Sequence, residues 1–377
     1  MSGRFCLTTL GGGQSVGASC YLLEFGTHAV LLDCGRGKQN RTLFGPDFTR
    51  VAARRPLRDI EAVFISHAHI DHIGFLPELS KLCGRIPAYA SRLTTELGQV
   101  LLWDNFDSTW MTEAQRFRYA QDFADAFAAV NPAAYSGPMD FGDYRVTFYE
   151  AGHIPGAAAI YLESEAGSVL YTGDFSTENT VLSGGLALPE GLKADTVILD
   201  GTYAKRPGTR GCRLYDADLD WLSRVRYRPL NIRVRQLTKG IELLGLILEK
   251  MKSGRIPAAK IHLSEEIWNV AMAFQRVGIQ VMNENCYPLT AEAMNRGENA
   301  LFLSEKPLYC GMEEHTVDYS LHSGFPELKR FAEERARKNV AVVHSPNADR
   351  RDFYALEDAC RRDLNFLYPD SGDTFEL

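Results

Sequence analysis

The sequence predicts an α/β protein in which a small parallel-sheet domain interrupts a larger, strand-rich one. Three observations carry this reading. The first third of the chain is a series of short apolar runs cut by glycine turns. From about Ala204 the texture changes to a β-α-β-α-β alternation, the rhythm of a small parallel sheet. Chemistry-bearing histidines of the kind found before that stretch return only after it, at His322 and His344. At 377 residues the chain is long for one core and comfortable for two. The expected segments are 1–203, an inserted domain over 204–307, and a return segment over 308–377.

The elements follow in order. Residues 5–10, 18–25 and 29–33 read as strands, punctuated by Gly11-Gly12-Gly13, Gly26 and Gly35. Residues 62–66 form a compact apolar strand that runs directly into His67. Residues 93–130 contain no proline and space their apolar positions as a helix does, so this stretch is expected to be mostly helical. Strands return at 144–150, 158–163, 168–172 and 196–200. Within the insert, strands are expected at 231–235, 260–263 and 300–303, with helices at 239–252 and 265–276.

Composition narrows the function classes. Hydrophobic residues make up 45% and charged residues 24%, ordinary for a globular protein. No run approaches the ~18 apolar residues of a membrane span. The opening Met1-Ser2-Gly3-Arg4-Phe5-Cys6 lacks the apolar core of a signal peptide, so a cytoplasmic protein with no membrane partner is expected. Eight cysteines occur without a Cys-x-x-Cys pair, which argues against a thiolate zinc cluster and a disulfide framework. Net charge is −7, yet residues 205–260 hold 14 Lys+Arg against five acids. That segment is +9 and the remainder −16, an asymmetry that suits a segment meeting a polyanion.

The strongest local signal is His67-Ala68-His69-Ile70-Asp71-His72, four potential ligands within six residues, immediately after a buried strand. Alternation in extended chain puts His67 and His69 on one side, and a following turn brings Asp71 and His72 to a neighbouring point. Such paired clusters suit two cations. Imidazoles and carboxylates without thiolates match catalytic zinc or manganese better than structural zinc. His153, after the strand 144–150, and Asp174, after the strand 168–172, are delivered at strand ends by glycine turns. Either alone would pass as an interior histidine or a turn former.

In this order, His67 to His72, Ala151-Gly152-His153-Ile154-Pro155-Gly156-Ala157 and Tyr171-Thr172-Gly173-Asp174-Phe175 resemble the metallo-β-lactamase superfamily. Asp200-Gly201-Thr202-Tyr203 is similar to motifs of its β-CASP branch of nucleic-acid-processing enzymes. So is Val317-Asp318-Tyr319-Ser320-Leu321-His322-Ser323-Gly324, followed by Val342-Val343-His344. Leu10 to Gly17 and Leu32-Asp33-Cys34-Gly35 look like the family's first strands. The resemblance implies an αββα sandwich carrying a β-CASP-like cap domain, with two Zn²⁺, or alternatively Mn²⁺. It implies that His67, His69 and His153 hold the first metal, that Asp71, His72 and His344 hold the second, and that Asp174 bridges them. His322 would be the general acid and Asp200 the carboxylate that orients it, with Asp71 counted in the catalytic set as well as among the ligands. His28, His262 and His315 are left as ordinary residues.

Two metals about 3.5–4 Å apart lower the pKa of a shared water and clamp the oxygens of an in-line displacement. A sugar alkoxide leaves poorly, so a protonated imidazole beside it is useful. The insert supplies candidate phosphate contacts in Arg233, Arg235 and Lys239, the last in the opening turn of a helix. Trp221 and Tyr227 interleave with arginines and are candidates for stacking on bases. The chain departs from the family where Ser323-Gly324 follows His322 and where His344 is followed by Ser345-Pro346-Asn347. Single-stranded RNA is the expected substrate, because a histidine at position 344 goes with the family's ribonucleases. Single-stranded DNA comes second and small esters, thioesters or lactones third, while a homo-oligomer remains open.

Overall fold

The computed structural model describes residues 4–39, 42–84, 86–104, 112–211, 219–234, 237–296, 299–308, 311–317, 319–346 and 352–377. The chain divides into two compact units. One comprises 1–178, 185–211 and 322–377, and the other 179–184 with 212–321.

The first unit is built on two seven-stranded sheets. One runs, in spatial order, Thr374–Glu376, Cys6–Gly11, Cys20–Phe25, His28–Leu32, Ala62–Phe64, Ala88–Ala90 and Val130–Pro132. Strand Cys20–Phe25 shows why this sheet lies between two layers. Cys20 and Leu22 point into one apolar cluster with Leu31, Val63, Phe123 and Phe127, whereas Tyr21 and Leu23 point into another with Phe64, Phe148 and Ile160. Both faces of the strand are buried, so its sequence is almost continuously apolar rather than alternating.

The second sheet runs Asn365–Leu367, Ala336–Val343, Ala194–Asp200, Gly167–Tyr171, Ala158–Ser164, Tyr144–Glu150 and Met139–Asp140. Its Val146, Ile160, Tyr171, Ile198 and Val343 share the inner cluster with the first sheet. Helices Leu76–Cys83 and Glu113–Ala128 pack together and put Leu79, Phe123 and Phe127 into the first sheet's outer cluster. Helix Phe325–Arg335 packs on strands Ala194–Asp200 and Ala336–Val343. The result is the expected αββα sandwich.

The second unit has a five-stranded, all-parallel sheet in the order Cys286–Pro288, Lys260–Leu263, Ala300–Ser304, Leu230–Val234, Glu313–Val317. The insert was expected to end near residue 307, but Glu313–Val317 pairs along Leu230–Val234 and belongs to this sheet. Its Glu-Glu-His-Thr-Val sequence suits an edge strand, where only one side is covered and charge is tolerated. The 93–130 stretch contains helices Arg92–Asp104 and Glu113–Ala128, the latter opened by a Thr112–Gln115 capping box. Among the described residues, no helix is long and apolar enough to cross a membrane.

Candidate active site

All residues that the sequence offers as ligands lie in the first unit, at strand ends and the loops that follow. Buried strand Ala62–Phe64 delivers His67, and the four-residue helix Ile70–Ile73 turns Asp71 and His72 toward it. The loop after the strand His28–Leu32 locks that turn. Cys34 N–H donates to the His72 carbonyl at 2.8 Å, and Arg36 N–H donates to that of Ile70 at 2.9 Å. Gly35 is required there, because a Cβ would lie 1.8 Å from the Asp71 carbonyl oxygen. Gly173, at φ +53° beside Ser66, brings Asp174 to the same place from the second sheet.

The structure brings these side chains into three overlapping groups, whose ligating atoms lie within 4.8 Å of one another in each. The first is His67, His69, His153 and Asp174. His69 Nδ1 is 3.1 Å from His67 Nε2 and 3.2 Å from His153 Nε2, and Asp174 Oδ2 lies 3.6 and 3.7 Å from those same Nε2 atoms. The second is Asp71, His72 and His344. His344 Nε2 is 3.1 Å from Asp71 Oδ2, and His72 Nε2 is 3.9 Å from that oxygen. Asp174 Oδ1 faces this group, 3.4 Å from His72 Nε2 and 3.5 Å from His344 Nδ1, so its two oxygens address the two groups separately. The third is Asp174, Asp200 and His322, in which His322 Nδ1 is 2.8 Å from Asp200 Oδ2.

These residues fit a pair of divalent cations on the structure's own terms. His72 Nε2 and Asp174 Oδ1 are buried with no hydrogen-bond partner among the described residues. Leaving such atoms unsatisfied costs roughly 1–3 kcal/mol each, a cost that a shared cation removes. His67 is held far below the ordinary histidine range by burial and by the imidazoles around it, and burial also brings His69 down to about 4. Both are therefore neutral, the form that ligates. For His72 burial opposes the proton, but Asp174, Asp71 and Asp33 together raise it to about 9. Burial works against charge on Asp71 and Asp200 as well, yet the neighbouring histidines hold both carboxyls well below the usual range.

Three supporting residues were not singled out as functional in the sequence. Asp33 is fully buried at φ +60°, a conformation most residues avoid. Its carboxylate accepts from Ser66 N–H at 2.6 Å, Ser66 Oγ–H at 2.7 Å and Tyr171 O–H at 2.5 Å, and it meets His72 Nδ1 at 2.7 Å. Ser66 Oγ lies 3.0 Å from His67 Nδ1. One carboxylate thus sets two imidazoles so that each turns Nε2 inward. Thr202 Oγ1 is 3.2 Å from His344 Nδ1.

The departures from the family pattern have local roles. Ser323 Oγ accepts from Thr177 N–H at 3.2 Å, while Ser323 N–H donates to the Phe175 carbonyl at 2.7 Å, which fastens the His322 loop to the Asp174 loop. His344, at φ +50°, donates its N–H to the Gly12 carbonyl at 2.6 Å, and Ser345 N–H donates to that of Gly13 at 3.1 Å. The glycine run after the first strand therefore anchors His344, the last candidate ligand.

A family model of the Metallo-beta-lactamase superfamily matches residues 14–224. The chain belongs to this superfamily. Ribonuclease TTHA0252 of Thermus thermophilus is 32% identical over 266 residues, covering 69% of this chain and 53% of that protein. Transcription termination factor FttA of Methanosarcina mazei is 29% identical over 308 residues, covering 79% and 47%. Integrator complex subunit 11 of Danio rerio is 33% identical over 205 residues, covering 52% and 34%. Together these relatives support placing the chain in the superfamily's β-CASP branch. The chain spans about half the length of the first two. A solved protein of unknown function from Enterococcus faecalis V583 shares the fold, with a TM-score of 0.61 at 12% identity, covering 99% of this chain and 100% of that one.

The candidate phosphate contacts fall in the second unit. Arg233 Nε donates to the Glu305 carbonyl at 3.2 Å, and its Nη1 is 3.9 Å from Glu314. Lys239 Nζ sits 5.5 Å from the centre of the Tyr319 ring. Arg235 lies outside the described residues. Trp221 stacks on His315 at 3.9 Å, and Tyr227 is 83% exposed, which leaves its ring open to a base. Over residues 179–184 and 212–321 the unit carries 14 Lys+Arg against 14 Asp+Glu, so the basic segment 205–260 is matched by acids that follow it. Arg224 and Arg228 both pair with Glu313.

Proposed function

We propose that this chain is a two-metal phosphodiesterase that cleaves single-stranded nucleic acid, RNA before DNA, with zinc in both sites. The observation that carries the reading is the His322–Asp200 pair at 2.8 Å, set beside two candidate ligand groups that Asp174 faces with one oxygen each. Ester or lactone hydrolysis needs the metals but no such proton donor. The relatives' printed names, a ribonuclease among them, favour RNA.

His67, His69 and His153 would hold one cation and Asp71, His72 and His344 the other, with Asp174 between them. When bound, the cations supply an activated water and neutralise charge on the phosphate. Asp200 accepts from His322 Nδ1–H and holds the ring so that Nε2 carries the mobile proton. His322 is raised above the ordinary histidine range because Asp200 and Asp174 outweigh the burial that opposes its charge. Nε2 lies 3.9 Å from Asp174 Oδ2, at the edge of the cluster, and donates its proton to the departing sugar oxygen.

Zinc-loaded protein is incubated with end-labelled single-stranded RNA and DNA of matched sequence, beside His322→Ala. RNA cleavage that falls by ~10²–10⁴ in the variant, with zinc content unchanged, is the expected result. Preference for DNA would shift the substrate class. No cleavage of either by metal-loaded protein would overturn the reading.

A further inference from the structure

A cavity opens beside the ligand cluster and shares Asp71 with it. It measures about 280 Å³, and its walls come from the turn at Val16-Gly17, strands Gly37–Gln39 and Thr42–Phe44, Ile70 at the start of the ligand helix, and Leu102. All of these lie in the first unit.

The lining chemistry is mixed in a particular way. Val16, Leu43, Ile70 and Leu102 are apolar, and Val16 and Leu43 remain 48% and 44% exposed. These side chains leave apolar area uncovered beside the cavity. Two cations border it. Arg36 is already engaged, by Glu78 and by the Tyr119 hydroxyl at 3.5 Å. Lys38 is exposed and has no ion-pair partner among the described residues. Gly17 and Gly37 keep the floor open. A Cβ on Gly17, at φ +109°, would come within 2.9 Å of Gly37 Cα.

We infer that this cavity binds the nucleotide next to the scissile phosphate, its base against Val16, Leu43, Ile70 and Leu102 and its flanking phosphate on Lys38. The inference rests on the phosphodiesterase reading and deepens it. Three features select this occupant. The volume of about 280 Å³ lies just below the ~300–1,000 Å³ typical of small-molecule sites, which suits one nucleoside rather than a folded segment. Four aliphatic side chains supply the apolar part of the walls, which suits the flat faces of a base whatever its identity. Asp71 lines the cavity and also belongs to the second group, so the cavity adjoins the cluster directly.

The test uses zinc-loaded protein, with adenosine 5′-monophosphate and inorganic phosphate as calorimetric probes, in wild type, Leu43→Asp and Lys38→Glu. Both positions are exposed, so both variants should fold. The expected result is that Leu43→Asp binds the nucleotide at least 5-fold more weakly while binding inorganic phosphate as wild type does, and that Lys38→Glu weakens the binding of both. The same variants should raise KM for single-stranded RNA by a similar factor. Unchanged nucleotide affinity and unchanged KM in a protein that cleaves RNA overturn the subsite and leave the nuclease reading intact. A wild type that cleaves no nucleic acid overturns the nuclease reading, and the subsite with it.

Discussion

Asp33 illustrates how a residue away from the ligand set governs it. Its Oδ2 alone meets the Ser66 and Tyr171 hydroxyls and His72 Nδ1. Replacing Asp33 with Asn puts a donor where an acceptor is needed and is expected to weaken zinc affinity by about 10–100-fold. Competition against a zinc chelator measures this, and wild-type affinity would mean that packing alone orients His72. Asp174→Ala should release at least one zinc per chain, since its oxygens face both groups, and elemental analysis of the purified variant gives the count. The candidate ligands could be read from the sequence because four fall within six residues and His153 and Asp174 follow strands through glycines, while His344 came from the family resemblance. Asp33 was not legible as an orienting group. A single Asp after an apolar strand looks like an ordinary turn residue, and only its positive φ and contacts across 33, 39 and 138 residues of chain give it a role.

At the scale of elements, the regular strands and the helices of the insert were readable from periodicity, because their faces are buried in a repeating pattern. The strands Thr374–Glu376 and Glu313–Val317 were missed because three to five residues with charged side chains leave no such pattern. Strand Thr374–Glu376 is held by backbone pairing to Cys6–Gly11 instead. Helix Leu237–Lys252 holds another group with measurable consequences. Glu242 is fully buried, accepts from Thr180 Oγ1–H at 2.7 Å and Leu182 N–H at 3.2 Å, and is pushed by burial up to about 7. A carboxyl whose folded pKa is raised stabilises the fold fully below its unfolded value near 4.5, and that contribution is lost as pH rises toward 7. The loss amounts to about 3 kcal/mol at most. Urea midpoints of wild type should therefore fall between pH 5 and 8 more than those of Glu242→Gln, and parallel curves would remove Glu242 as the cause. The pairing of Arg224, Arg228 and Arg233 with Glu313 and Glu314 bears on substrate binding. Changing all three arginines to Gln should alter the slope of log affinity against log salt by less than about 0.7, the value of one single-strand phosphate contact. A fall of about 2 would show that they leave their glutamates for RNA.

The whole molecule keeps every candidate ligand in one of its two units. The crossing points of the chain are tied together within that unit. Phe325 N–H donates to the Thr209 carbonyl at 2.9 Å, and a Cβ on Gly324 would lie 2.3 Å from the Gly211 nitrogen. Chain ends this close tolerate insertion, and by the same argument excision. Replacing residues 212–321 with a short Gly/Ser linker is expected to leave two zinc ions bound per chain while abolishing cleavage of long RNA. Loss of both metals would show that the first unit does not fold alone.

The contact between His344 and the glycines at 12 and 13 joins an early segment of the chain to a late one, and this sets an order in time. Synthesis adds His67, His69, His153 and Asp174 before residues 212–321 of the second unit, so a nascent chain has the donors of the first group to hand. Asp71 and His72 must wait for a third donor that is 272 residues beyond His72 and is synthesised after that unit. On the proposed two-metal reading, the second group is complete only once residue 344 has been added, and a chain stopped short of it lacks the third donor of that group.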